Sequence, residues 1–415
     1  MENWSGVYDA TKQGNICWQK NDAEYNVKDM NEDCLFLNIW STNLTDQMPV
    51  IFYIHGGAFI KGSSYRDSTN GSALATFGVV IVTFNYRLGP FGFLYGRSKE
   101  APGNAGLYDQ LLALIWVNQN IKSFGGDPNE ITIFGESSGA FSVGYHLLSD
   151  LSEGLFKRAI LNSGSSYFIK NFNPSNEIYL NKAKEFSRSL GCGHVDNYWL
   201  KCMKLLKPNL LIDNKLVNGF SHQVIDGVIY KRTAQETFSS LDFNLNVTIL
   251  TGVMSDEGSV YAINEFPKLF KDSNSRVTKA DLKEAVRKAV VFDVDKIYDT
   301  YYIGFENEIN QIALKKSFAN ILGDRRIVCP TNFFAKEFSK LNNSLNAKVY
   351  FYRFSHKLKN RSYSSCKGDW VGNCHYEDVP IVFGQAVIDP SSFTEIDYQF
   401  SLLIMTLWTN FAKNG

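Results

Sequence analysis

The chain has 415 residues, with 42 Lys and Arg against 42 Asp and Glu, 44% apolar residues and 20% charged ones. That balance leaves no basic excess to attract nucleic acid or an acidic membrane surface, and no apolar run approaches the roughly twenty residues that span a bilayer. The first residues, MENWSGVYDA, show neither a basic leader nor an apolar stretch, so no signal peptide is visible.

Without internal repeats or low-complexity linkers, one large domain is expected. In chain order, residues 49–54 (PVIFYI) form an apolar run of strand length that empties into His55, Gly56, Gly57, Ala58 and Phe59. Small residues at a strand's carboxyl end leave backbone N–H groups unobstructed. Gly57 and Ala58 are therefore candidate donors to an oxygen that gains negative charge, although HGGAF alone reads as a glycine turn. A helix is predicted near residues 68–77, a strand at 79–84 and a helix over 104–122. The alternation continues with apolar runs at 131–134 and 158–162 on either side of a helix over 138–149. It argues an α/β fold with a mainly parallel sheet covered on both faces.

Residues 130–148 are the most telling stretch. Ile131, Ile133 and Phe134 suit a short buried strand, and Ala140, Val143, Leu147 and Leu148 recur at helical spacing. Between them Gly135 and Gly139 bracket Ser137. A turn this sharp strains its central residue and brings strand and helix so close that only glycine fits on either side. Ser137 is thus a candidate nucleophile, against the plainer reading of a helix-capping serine. Ser138, at the start of the helix, is the third candidate oxyanion donor.

A nucleophilic serine needs a base, and an acid to orient that base. Of six histidines, His55 belongs to the glycine loop and His146 lies within the helix after Ser137. His194 and His222 precede the expected acid, whereas hydrolase sites of this kind run serine, acid, histidine. His356 and His375 remain. Both follow the aromatic strand at 349–354, and periodicity does not separate them. The acid is sought after another strand, at 247–250 (VTIL), where Asp256 and Glu257 are equal candidates. Residues 175–345 otherwise carry mostly helical, charged segments, expected to cap the site and wall a gorge.

At this point the motifs resemble the type B carboxylesterases, the group that includes cholinesterases and liver-type carboxylesterases. Residues 32–40 (EDCLFLNIW) are similar to the family's amino-terminal signature and GESSG to its serine signature. Between them lie HGGAF, NYRLGPFGFL at 85–94, GNAGLYDQ at 103–110 and FGGDP at 124–128. SDEGS and HYEDVPIVFG at 375–384 follow. The resemblance implies an α/β-hydrolase fold with a helical cap and a triad of Ser137, Glu257 and His375. It implies Gly57, Ala58 and Ser138 as oxyanion donors, Glu136 beside the nucleophile, Ser163 behind the triad, and a structural ion pair between Glu32 and Arg87. It implies a small-molecule ester as substrate, with no cofactor and no metal.

The chain also departs from the family's pattern. Tyr376 stands where many relatives have glycine. The segment between Cys17 and Cys34 holds no tryptophan where cholinesterases bind the quaternary ammonium of choline; Trp18 and Trp40 lie at its ends. Losing that cation–π surface argues for a general carboxylesterase rather than a dedicated cholinesterase. Relatives have sheet strands before the segment resembling residues 4–10 and continue beyond WTNFAKNG, so the resemblance implies a fragment with terminal segments missing.

Seven cysteines leave one over after three pairs. Resemblance implies Cys17 with Cys34 and Cys192 with Cys202, while the close pair Cys366 and Cys374 is this chain's own addition. Cys329 matches a cysteine whose partner lies beyond the chain. Disulfides imply a secreted or secretory-pathway protein. Sequons occur at Asn3, Asn43, Asn70, Asn246, Asn342 and Asn360, but the asparagine content alone would produce most of them. Two rival readings are a catalytically inactive adhesion or binding protein on the same fold and a non-functional fragment.

Overall fold

The structure, a computed structural model, describes residues 6–21, 26–167, 175–195, 198–240, 246–272, 274–290, 293–302, 310–340, 348–359 and 366–415. Trp4 and the sequons at Asn3, Asn342 and Asn360 lie outside the described residues. Of the other sequons, Asn43 and Asn246 are exposed and Asn70 is half-buried.

A seven-stranded sheet organises the molecule. Its strands are β1 (Leu37–Trp40), β2 (Met48–Ile54), β3 (Val80–Phe84), β4 (Gly126–Glu136), β5 (Arg158–Asn162), β6 (Thr248–Met254) and β7 (Val349–Phe354), in the order β1-β3-β2-β4-β5-β6-β7. Only β1 runs antiparallel to its neighbour; every other pairing is parallel. The predicted apolar runs coincide with these strands, those at 79–84 and 247–250 starting one residue early. β1 sits within the EDCLFLNIW motif, and its four half-buried residues gave no alternation to read.

Both faces of the sheet are buried, which is why the strands read as continuous apolar runs. Val50, Phe52 and Ile54 face one cluster with Leu107, Leu114 and Val117 of helix α1 (Ala105–Asn120) and Val143 of helix α2 (Ser138–Leu147). Ile51 and Tyr53 face the other, with Leu74, Val382, and Met405 and Trp408 of helix α3 (Glu395–Asn414). The helix expected near 68–77 is shorter than expected: a 3-10 turn at Asp67–Thr69 and one helical turn at Ser72–Ala75. Asn70 and Gly71 fall between the two pieces; neither favours a helix interior.

Helix α3 begins with a reciprocal cap between Thr394 and Asp397. Near its other end Arg158 donates to the carbonyls of Ala412 (2.9 Å) and Lys413 (3.1 Å), acceptors that a helix terminus leaves without partners. Disulfides join Cys17 to Cys34, Cys192 to Cys202 and Cys366 to Cys374, with Cys329 a free thiol. Among the described residues no helix is long and apolar enough to cross a membrane.

Candidate active site

Six parallel strands send their carboxyl ends to one edge of the sheet, where open α/β sheets bind ligands. Ile54 leads into the glycine loop, Glu136 into Ser137, Asn162 into Ser163, and Met254 toward Asp256 and Glu257. The register places Ile54 opposite Gly135, and Glu136 opposite Asn162, which itself pairs with Gly252. The turns after β2, β4, β5 and β6 therefore meet at one level.

Ser137 holds φ 56° and ψ −123°, a conformation that side chains other than glycine's rarely adopt. Its neighbours explain why it stays there. A Cβ on Gly139 would lie 2.0 Å from the Ile54 carbonyl oxygen, and one on Gly135 would lie 2.3 Å from Gly139, so any larger residue would push helix α2 off the sheet. The Ser137 N–H donates to the Asn162 carbonyl (2.9 Å), and its own carbonyl accepts from Phe141 (3.0 Å). Ala58 (φ 56°), Phe59 (φ 61°), Ser163 (φ 55°) and Tyr376 (φ 83°) also have positive φ. With Ser137 they make five of the seven such non-glycine residues among those described. Strain of this kind concentrates at functional sites.

The candidate donors lie beside the elbow. Among the described residues neither the Gly57 nor the Ala58 N–H has a hydrogen-bond acceptor, and Ser138 is the first residue of α2, whose N–H has no acceptor within the helix. Ser138 Oγ accepts from the Phe59 N–H at 3.3 Å, tying the glycine loop to the helix. His55 braces the loop: its ring stacks on Tyr86 with centroids 4.4 Å apart, and burial pushes its pKa down to about 4.

Geometry separates the candidates that sequence left level. His356 Nε2 lies 2.8 Å from Asp397, at the cap of α3, and its ring stacks on Phe400. His375 Nδ1 lies 2.5 Å from Glu257 Oε2, while Glu257 Oε1 accepts from the Met254 N–H at 2.7 Å. Asp256 instead pairs with Lys316 (3.3 Å) and accepts from the Asn373 N–H (2.9 Å), fastening the segment just before His375. His146 is buried away from the elbow, between Ser152 and Gln110.

The other imidazole nitrogen faces Glu136: Nε2 lies 3.2 Å from Oε1, yet neither atom makes a hydrogen bond. No hydrogen bond joins Nε2 to Ser137 Oγ among the described residues; Glu257, His375 and Glu136 are in contact, and the serine stands at the adjoining chain position. Contacts of this kind often tighten only when substrate binds.

Asp378 went unnoticed in the sequence, although it stands three residues after His375 in the same motif. It is fully buried, and its Oδ2 accepts from Asn162 Nδ2 at 2.9 Å. Three buried carboxyls thus surround one imidazole. Burial raises Glu136 to about 8 and Asp378 to about 7, the neighbouring carboxylates adding to both. Burial alone would lower His375; Glu136, Glu257 and Asp378 outweigh it and hold the imidazole at about 9. Glu136 Oε1, Asn162 Oδ1, Ser163 Oγ, His375 Nε2 and Asp378 Oδ1 are all buried without a hydrogen-bond partner. Buried polar atoms are ordinarily satisfied by protein, water or a ligand. No group of three or more metal-ligating side chains is arranged to hold an ion among the described residues.

A base must be neutral to accept a proton, so a raised His375 pKa sets the acid limb of a pH–rate profile above the ordinary 6.5. Glu136→Gln removes one anion that favours the imidazolium. It is expected to move that limb of kcat/KM to lower pH, by about one unit for a carboxylate at this distance. A limb that stays in place or moves up would contradict this reading.

One sequence expectation is corrected. Arg87 does not pair with Glu32, which is exposed; it grips Asp109 through Nε and Nη2, each at 2.7 Å. Asp109 follows GNAGLY on helix α1 and also accepts from the Arg87 backbone N–H at 3.0 Å, so the guanidinium and its own backbone are held by one carboxylate.

The sequence profile described as "Carboxylesterase family" matches residues 1–415. The chain is 35% identical to the acetylcholinesterase of Bungarus fasciatus, over 100% of this chain and 71% of that one. It is 34% identical to the acetylcholinesterase of Electrophorus electricus, over 99% and 72%. It is also 34% identical to acetylcholinesterase-1 of Trittame loki, over 99% and 77%.

Proposed function

Since the chain belongs to the carboxylesterase family, we propose that it is a serine hydrolase of carboxylic esters acting through an acyl-enzyme. One observation carries the reading: the buried Glu257–His375 pair stands at the same sheet edge as a serine in a strained elbow. Ser137 Oγ attacks the ester carbonyl carbon as His375 Nε2 takes the hydroxyl proton. The carbonyl oxygen becomes an oxyanion held by the N–H groups of Gly57, Ala58 and Ser138. Glu257 keeps the Nδ1 proton in place and favours the imidazolium. The tetrahedral species collapses, breaking the bond to the alcohol oxygen, which leaves with the proton from Nε2. Water activated by the same nitrogen then attacks the acyl carbon and releases acid and free Ser137.

Ser163 and Glu136 are assigned supporting places, the first behind the elbow and the second beside the leaving group. The helical segments of residues 175–345, on either side of the sheet strand β6, are read as a cap walling the approach. Acetylcholinesterase is the printed activity of the relatives. For this chain we favour a general carboxylesterase, on the Cys17–Cys34 segment described above. The three disulfides fit a secreted or secretory-lumen protein. The test is hydrolysis of 4-nitrophenyl acetate by the purified chain. Release of nitrophenol that depends on Ser137 supports the reading, and a folded but inert protein supports a binding role instead.

A further inference from the structure

The residue after the candidate catalytic histidine carries an aromatic ring whose face is already taken. Tyr376 hydrogen-bonds through its hydroxyl to Ser68 Oγ at 2.8 Å, and the guanidinium of Arg66 stacks over its ring, 5.0 Å from the centroid. Arg66 and Ser68 come from the loop that follows the glycine turn, and Tyr376 from the segment that positions His375. Gln385 Nε2, which donates to the Asp67 carbonyl at 2.5 Å, fastens the same two segments a second time. The charge of Arg66 is felt inside the site: it works against the upward shift of Glu136 and adds to the downward shift of His55.

An ammonium group is held by a desolvated aromatic face or by a fixed anion. Beside His375 the aromatic face carries a guanidinium in contact range. The adjacent carboxyl, Glu136, has its pKa raised by burial and already faces the imidazole of His375, 3.2 Å away. Resting on the hydrolase reading above, we propose that Arg66, stacked on Tyr376, is a specificity-determining residue that turns the site against cationic alcohols and toward esters of neutral alcohols.

The experiment compares kcat/KM for acetylcholine and for 3,3-dimethylbutyl acetate, in which carbon replaces the ammonium nitrogen. The wild-type chain is expected to prefer the neutral ester. In Arg66→Met the ratio of cationic to neutral turnover is expected to rise about three- to tenfold, the scale of one cation–π contact regained. A wild-type preference for acetylcholine, or a ratio unchanged by Arg66→Met, overturns the proposal while leaving the hydrolase reading intact. A wild-type chain that cleaves neither ester overturns both. Should Arg66→Met not fold, inhibition of the wild-type chain decides. Tetramethylammonium is expected to inhibit neutral-ester hydrolysis no better than tert-butanol, and stronger inhibition overturns the proposal.

Discussion

Replacing Ser137 by alanine is expected to lower turnover of a nitrophenyl ester at least about a thousandfold, the usual scale for loss of a triad nucleophile. The thermal melt should hardly move. Ser137 is half-buried and its hydroxyl makes no hydrogen bond among the described residues, so removing it leaves nothing unsatisfied. Its backbone conformation is equally strained for alanine and serine, because the cost comes from Cβ. The strain is imposed from outside, by the approach of Gly139 to Ile54 and of Gly135 to Gly139, and stays in the variant. Kinetics and a circular-dichroism melt on the same preparation check both halves. Activity that survives the substitution would remove Ser137 from the mechanism, and a collapsed melt would make it a structural residue.

Glu257→Gln should lower kcat about a hundred- to ten-thousandfold, again without unfolding. The glutamate uses both oxygens, one on the Met254 N–H and one on His375 Nδ1. Glutamine has a single oxygen. If that oxygen keeps the Met254 N–H, the amide NH₂ faces Nδ1 and makes it an acceptor, which puts the imidazole proton on Nε2. That is the nitrogen that must be free to take the serine proton. If the amide turns the other way, the NH₂ meets the Met254 N–H donor to donor, at the cost of an unmet backbone bond. The first arrangement is cheaper, so the loss should fall on kcat rather than KM. Asp256→Asn is the natural comparison, since Asp256 braces Asn373 and does not touch the imidazole; it should alter the melt more than kcat.

Much of the sheet was legible because both its faces are buried. Residues 50–54 (VIFYI) are apolar without interruption and 159–161 (AIL) form a shorter apolar core between Arg158 and Asn162, and strand length does the rest. The elbow was legible for a different reason: two glycines around a serine, between a strand and a helix, is a pattern set by steric limits. The choice between His356 and His375 was not legible from spacing, since the deciding contacts, to Asp397 and to Glu257, cross 41 and 118 residues of chain. Family resemblance favours His375 and Glu257, and those two side chains are in contact. Asp378 was missed because adjacent carboxylates such as Glu377 and Asp378 read as solvated surface, and only burial against Asn162 reveals it. The Glu32–Arg87 pairing failed because a nearer carboxylate on α1 takes the guanidinium in a two-bond grip. The Arg66–Tyr376 contact joins segments about three hundred residues apart, with no periodicity to announce it.

The central claim is that Ser137 is an activated nucleophile, and covalent capture tests it most directly. The purified chain, treated with a fluorophosphonate and digested, is expected to carry one phosphonyl adduct. Mass spectrometry should place it on Ser137, with a rate that rises as His375 loses its proton. A folded chain that takes no adduct, or takes it on another residue, would contradict the account.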